Sequence, residues 1–121
     1  MAKIGIVLAL LFSLVSAGQL ASATIQPVQI WHSTITAYSA SIEETDDFPR
    51  IAANNREVFE GGIANNCLPF GTQVEINGQY FIVNDRMNRR YDCFHFDIFI
   101  DSKPEAQMFG RWDHQRVAVY N

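Results

Sequence analysis

The chain has 121 residues, nine Lys/Arg against thirteen Asp/Glu, a formal net charge of −4 and 48% hydrophobic residues. An acidic balance excludes the basic face that phosphate-driven nucleic-acid binding requires. The length suits one domain with a modest core, for which a covalent staple is an advantage.

The first element in chain order reads as a cleavable secretory signal over residues 1–23. Lys3 supplies the positive start, Ile4 to Ala17 the apolar stretch, and Ala21-Ser22-Ala23 the small-x-small cleavage pattern. The alternative is a retained membrane anchor, but Ser13, Ser16 and Gly18 interrupt the apolar run and about 20 such residues are needed to span a bilayer. No cysteine stands near the cleavage site to carry a lipid. Cleavage after residue 23 of 121 leaves 98 residues and removes one lysine, taking the net charge from −4 to −5. Secretion or residence in the periplasm or cell envelope is therefore expected, with no stable membrane anchor.

Residues 24–33 form an N-terminal extension, and residues 34–121 one domain without repeats or linkers. Turn signals every eight to twelve residues predict an all-β barrel or sandwich. Ile30 to Ala40, rich in β-branched and aromatic residues, predicts a strand. Glu43 to Asn55 reads as a long polar loop, and Ile63 to Asn65 as a short extended piece. After the turn Leu68-Pro69-Phe70-Gly71, the strand Thr72 to Ile76 joins Gln79 to Asn84 through Asn77-Gly78. Those two residues demand a type I′ turn, since both tolerate positive φ.

Phe94 to Ile100 and Arg116 to Tyr120 complete six strands. Between them, Ser102-Lys103-Pro104-Glu105 has the form of a capping box and Gly110 a left-handed stop. One helix of about two turns follows from those bounds.

In an oxidising compartment Cys67 and Cys93 are expected to bridge, a link contributing roughly 3–4 kcal/mol in the chain-entropy model. Two packed thiols are the alternative; no sequence signature places a His or Asn to activate a catalytic cysteine.

The chemistry concentrates in Phe94-His95-Phe96-Asp97-Ile98-Phe99-Ile100-Asp101. Alternation puts Phe94, Phe96, Ile98 and Ile100 on one face and His95, Asp97, Phe99 and Asp101 on the other. A carboxyl held among aromatics and partly removed from water has its charged form disfavoured, so Asp97 is the candidate general acid. The competing reading is an Asp on the wet side of an antiparallel strand.

Asp101 lies about 13 Å along the strand from Asp97, beyond the roughly 5–9.5 Å of ordinary glycosidase carboxyl pairs, so helix-terminus electrostatics suits it better. Asp85 sits where a strand meets a loop, either as a functional side chain or as a local Asx turn. Arg86, Arg89 and Arg90 would meet an anionic ligand or offset Asp85 and Asp92. His32, His95 and His114 have no metal-ligand spacing, and no phosphate loop or nucleophile elbow is present. No metal or other cofactor is implied.

Several ordered blocks resemble the bacterial 3D (Asp-Asp-Asp) domain across about Thr34 to Tyr120: Thr36-Ala37-Tyr38-Ser39-Ala40-Ser41, Glu44-Thr45-Asp46, Ala64-Asn65-Asn66, Leu68-Pro69-Phe70-Gly71-Thr72, Asn84-Asp85-Arg86-Met87-Asn88, Phe96-Asp97-Ile98-Phe99, and Glu105-Ala106 with Phe109-Gly110. The three naming aspartates would be Asp85, Asp97 and Asp101.

The domain is similar to the catalytic barrel of membrane-bound lytic transglycosylase A. The resemblance implies a six-stranded double-psi β-barrel and cleavage of the β-1,4 bond between N-acetylmuramic acid and N-acetylglucosamine in peptidoglycan. Asp97 would be the acid/base with Asp85 beside it, while Thr36, Tyr38, Asp101 and Arg86 would contact substrate and Phe99 or Tyr91 stack on a sugar. One carboxyl would serve twice, so the wide Asp97–Asp101 spacing is no obstacle. The expected partner is a glycan strand bound by a monomer; the alternative is a non-catalytic, expansin-like wall-loosening module on the same barrel.

Overall fold

The computed structural model describes residues 25–40 and 49–120, so the predicted signal and the Glu44-Thr45-Asp46 block lie outside the described residues. Among the described residues six strands and one helix follow one another: β1 (Gln29–Tyr38), β2 (Gly62–Ala64), β3 (Gln73–Ile76), β4 (Gln79–Asp85), β5 (His95–Phe99), α1 (Lys103–Phe109) and β6 (Trp112–Tyr120). The strands close into a barrel in the order β1-β5-β2-β4-β3-β6. β1 runs parallel to β5 and β2 to β4, while the other four pairings are antiparallel. Closure leaves no unpaired strand edge.

The Asn77-Gly78 hairpin forms as the sequence predicts, with φ of 51° and 80° at the two turn residues. Ser102 caps α1, its Oγ accepting from the Glu105 amide at 3.4 Å. Gly110 ends the helix with positive φ, but its ψ of −146° takes it out of the left-handed helical well. β6 begins four residues before the predicted Arg116, at Trp112. Its early part is broken by a bulge: pairing passes from Ser33↔Gln115 to Ile35↔Trp112, and His114 within it has a φ of 59°. Such an extra residue destroys the period-2 signal by which a strand is read.

The barrel interior is filled by Ile35, Ile63, Val74, Val83, Phe96 and Val117 and their neighbours. A second, smaller cluster of Tyr38, Ala52, Val58, Ala64 and Phe99 lies outside it. Alternation puts His95 and Phe99 on the face of Asp97, yet both are buried, Phe99 at 1% exposed within that cluster and His95 at 8% against Tyr91, whereas Phe94 on the other face is 51% exposed. The cover is part of the predicted polar loop. Ile51 bridges to Glu57, Ala52 N–H donates to the Arg56 carbonyl and Val58 N–H to that of Arg50, a small turn that carries Ala52 and Val58 inward.

Cys67 and Cys93 are joined in a disulfide, with Cα atoms 5.3 Å apart. It ties the segment after β2 to the segment before β5.

Candidate functional site

The pairing registers assemble the site. Thr36 on β1 is opposite Asp97 on β5, Asp97 opposite Ala64 on β2, and Ala64 opposite Asp85 on β4. Residues opposite one another present their side chains on the same face, so Thr36, Asp97, Ala64 and Asp85 form one row across four strands. Two strand spacings of about 4.8 Å separate the aspartate backbones by roughly 10 Å, with only the methyl of Ala64 between them.

Asp85 reaches this row through a second bulge. Gly62 and Ile63 pair with Ile82 and Val83, but Ala64 pairs with Asp85, passing over Asn84. In an unbroken ladder Ala64 would face Asn84 and the carboxyl of Asp85 would turn to the opposite side. Asn84 is buried instead and packs over Gly62, where a Cβ would come within 2.7 Å of its side-chain amide nitrogen.

Asp97, Ala64 and Asp85 of this row floor a cleft of about 430 Å³ lined also by Tyr38, Pro49, Ile51, Arg86, Met87, Asn88, Arg90 and Tyr91; Thr36, expected to contact substrate, is not among the lining residues and meets the site through its bond to Asp97. Asp97 is half-buried there, and Thr36 Oγ1 donates to its Oδ1 at 2.9 Å. Asp85 accepts three hydrogen bonds: Tyr38 Oη donates to Oδ2 at 2.8 Å, and the amides of Ala53 and Arg86 to Oδ1 at 2.8 and 2.9 Å. Those partners come from three segments, which is more than a local Asx turn. Burial first, and the Asp85 carboxylate next, push the Tyr38 phenol far above its ordinary range, so it remains a proton donor to Asp85.

Arg86 also lines the cleft, its Nη1 donating to the Asn65 carbonyl at 2.8 Å and its guanidinium lying 3.9 Å from the Phe70 ring centroid. Burial lowers its pKa, against the opposing pull of Asp85. Asp101 is not among the cleft-lining residues. Its carboxylate is taken by Arg50 at 2.7 Å and its amide donates to Glu60 Oε1 at 2.7 Å, so it fastens the 49–60 segment whose Pro49 and Ile51 wall the cleft. Phe99 is buried under Tyr38 at 5.5 Å between ring centroids and is not available to a sugar; Tyr91 is.

Two adjacent asparagines hold the cleft's loops. Asn65 Oδ1 accepts from the amides of Cys67 and Leu68, and Nδ2 donates to the carbonyls of Cys93 and His95. Asn66 Oδ1 accepts from Met87 N–H and its Nδ2 donates to the carbonyls of Asn88 and Tyr91. The contacts of Asn65 with Cys67 and Leu68 are local, but the partners of the two asparagines that lie 21 to 30 residues away are visible only in the fold. His95, to which no role attached in the sequence, stands next to Thr36 with its Nε2 2.9 Å from Oγ1.

Among the described residues no group of three or more His, Cys, Asp or Glu gathers as a metal site, and no helix is long and apolar enough to cross a membrane. No family model matches the chain, and no curated protein matches it.

Proposed function

We propose that this protein is a secreted or cell-envelope peptidoglycan lytic transglycosylase of the 3D-domain kind, with Asp97 as its acid/base. The observation that carries this reading is a half-buried carboxyl in a cleft, hydrogen-bonded to a hydroxyl and lined up with a second aspartate over a floor kept low by Ala64. The two parallel pairings among six closed strands support reading the barrel as double-psi, and the disulfide accords with an oxidising compartment.

Carrying its proton, Asp97 gives it to the glycosidic oxygen as the bond to C1 of N-acetylmuramic acid breaks. The resulting carboxylate then takes the proton of the C6 hydroxyl, whose oxygen attacks C1 and closes a 1,6-anhydro ring. One proton leaves Asp97 and one returns. Asp85, with three donors turned toward it, orients Tyr38 and the Arg86 backbone around the sugar, and Tyr91 offers a ring face.

The test is digestion of purified sacculi followed by mass spectrometry. The reading expects 1,6-anhydromuropeptides from the wild-type protein and a loss of roughly 100-fold or more in Asp97→Asn, the usual worth of a positioned acid/base. Products with free reducing ends would make it a hydrolase, with Asp85 activating water. Sacculus binding without soluble product would make it a wall-binding or loosening module.

A further inference from the structure

Thr36 has one hydroxyl and two polar neighbours in hydrogen-bond reach: Asp97 Oδ1 at 2.9 Å and His95 Nε2 at 2.9 Å. We propose that Thr36 is a proton bridge that makes the protonation of Asp97 and that of His95 one coupled event, with His95 a positioning residue for the acid. A hydroxyl carries a single hydrogen, so the bridge has two consistent arrangements.

When Asp97 is ionised, Thr36 gives its hydrogen to the carboxylate and must accept one from Nε2–H of His95. When Asp97 holds a proton, it donates to Thr36, whose own hydrogen turns to the bare Nε2 lone pair. Passing from the second arrangement to the first moves one proton from Asp97 to Thr36 and one from Thr36 to Nε2. An imidazole already protonated on Nδ1 becomes imidazolium, and no proton is gained or lost.

The surroundings of His95 bias where that proton rests. Tyr91 covers its ring edge-on at 4.6 Å. The charged groups felt by the imidazole are Arg111 before β6, Asp113 on β6 and Asp92 before β5; burial, then Arg111, hold it below the ordinary histidine range, against the two aspartates. An imidazole that resists a second proton returns it to Asp97, which is what an acid poised to donate requires.

His95 also opens onto a second cavity of about 550 Å³ shared with His32, Arg90, Tyr91, Phe94 and Arg111. Tyr91 and Arg90 wall both cavities. The bridge therefore joins the acid in one cavity to an imidazole that lines the other, so the proton balance of Asp97 answers to groups on both sides.

The use of this bridge in turnover rests on the transglycosylase reading, but the coupling does not, and it is tested without substrate. In protein labelled with nitrogen-15 and carbon-13, the His95 ring nitrogens and the Asp97 carboxyl carbon are followed by NMR against pH. The expected result is an inflection of the Nε2 shift at the Asp97 midpoint, lost in Asp97→Asn and in the near-isosteric Thr36→Val, and kept in Thr36→Ser.

An Nε2 shift that ignores the Asp97 titration in the wild-type protein, or an inflection that survives intact in Thr36→Val, overturns the inference. Should Thr36→Val not fold, Thr36→Ala, which also lacks the hydroxyl, takes its place with the same expected loss. Coupling in a protein that yields no anhydro product from sacculi leaves the bridge standing and removes the enzyme; anhydro product without coupling does the reverse.

Discussion

Asn65 is the side chain whose replacement tests most directly how the site is held. It is 0% exposed and makes four hydrogen bonds: its Oδ1 accepts from the Cys67 and Leu68 amides at 2.9 Å each, and its Nδ2 donates to Cys93 O at 2.8 Å and His95 O at 3.2 Å. Asn65→Asp keeps shape and the two accepted bonds but faces two carbonyls with an acceptor. Each buried polar group left unsatisfied costs about 1–3 kcal/mol, and the introduced carboxylate is itself desolvated. The expected loss is about 4 kcal/mol, a large share of the roughly 5–15 kcal/mol that keeps a domain folded.

At a urea slope of about 2 kcal/mol/M, that loss lowers the unfolding midpoint at neutral pH by about 2 M. Burial raises the pKa of the introduced carboxyl in the fold, so the folded state binds its proton first. Relative to the wild type, stability falls as pH rises above about 4 and recovers as pH drops toward it, where an O–H again donates to one carbonyl. A midpoint shift below about 0.5 M, or a deficit that does not change between pH 7 and pH 4, would refute the idea that Asn65 bridges these segments by donating.

The Cys67–Cys93 bridge spans 26 residues, for which loop-closure entropy gives about 3.5 kcal/mol; the Cys67→Ser/Cys93→Ser protein should melt roughly 15–25 °C lower by calorimetry, and a difference under about 5 °C would contradict that account. Tyr38→Phe removes the phenolic donor to Asp85 Oδ2 and should cost about 1–2 kcal/mol in denaturant unfolding; no change would mean that water replaces the phenol freely. Because His95 is held below its ordinary pKa in the fold, the unfolded chain takes up the proton first as pH falls through about 6.5. Stability should therefore decline on acidification from there down to the depressed folded value, and that slope should flatten in His95→Gln; an unchanged slope would place the titration elsewhere.

The local elements were legible because local rules govern them. Asn77-Gly78 makes a hairpin wherever it stands between strands, Ser102 and Gly110 bound a helix by the chemistry of its ends, and six runs of β-forming residues lie where five of the six strands start and end to within about two residues. Asp97 could be singled out since a carboxyl among aromatics is conspicuous along a strand.

Which residues meet that carboxyl is another matter, because pairing is a property of register across the sheet and bulges rewrite it without a mark in the hydrophobic pattern. The skipped Asn84 turns Asp85 into the cleft, and the kink at His114 hides the first half of β6. Phe99, on the face of Asp97 by alternation, is buried because a segment that reads as a loop folds over it. Asp101 is drawn off to Arg50 for the same reason. Thr36 and His95 are 59 residues apart in the chain, and no spacing rule connects them. Only the parallel docking of β1 against β5, a contact between distant segments, sets hydroxyl, imidazole and carboxyl within reach of a shared proton.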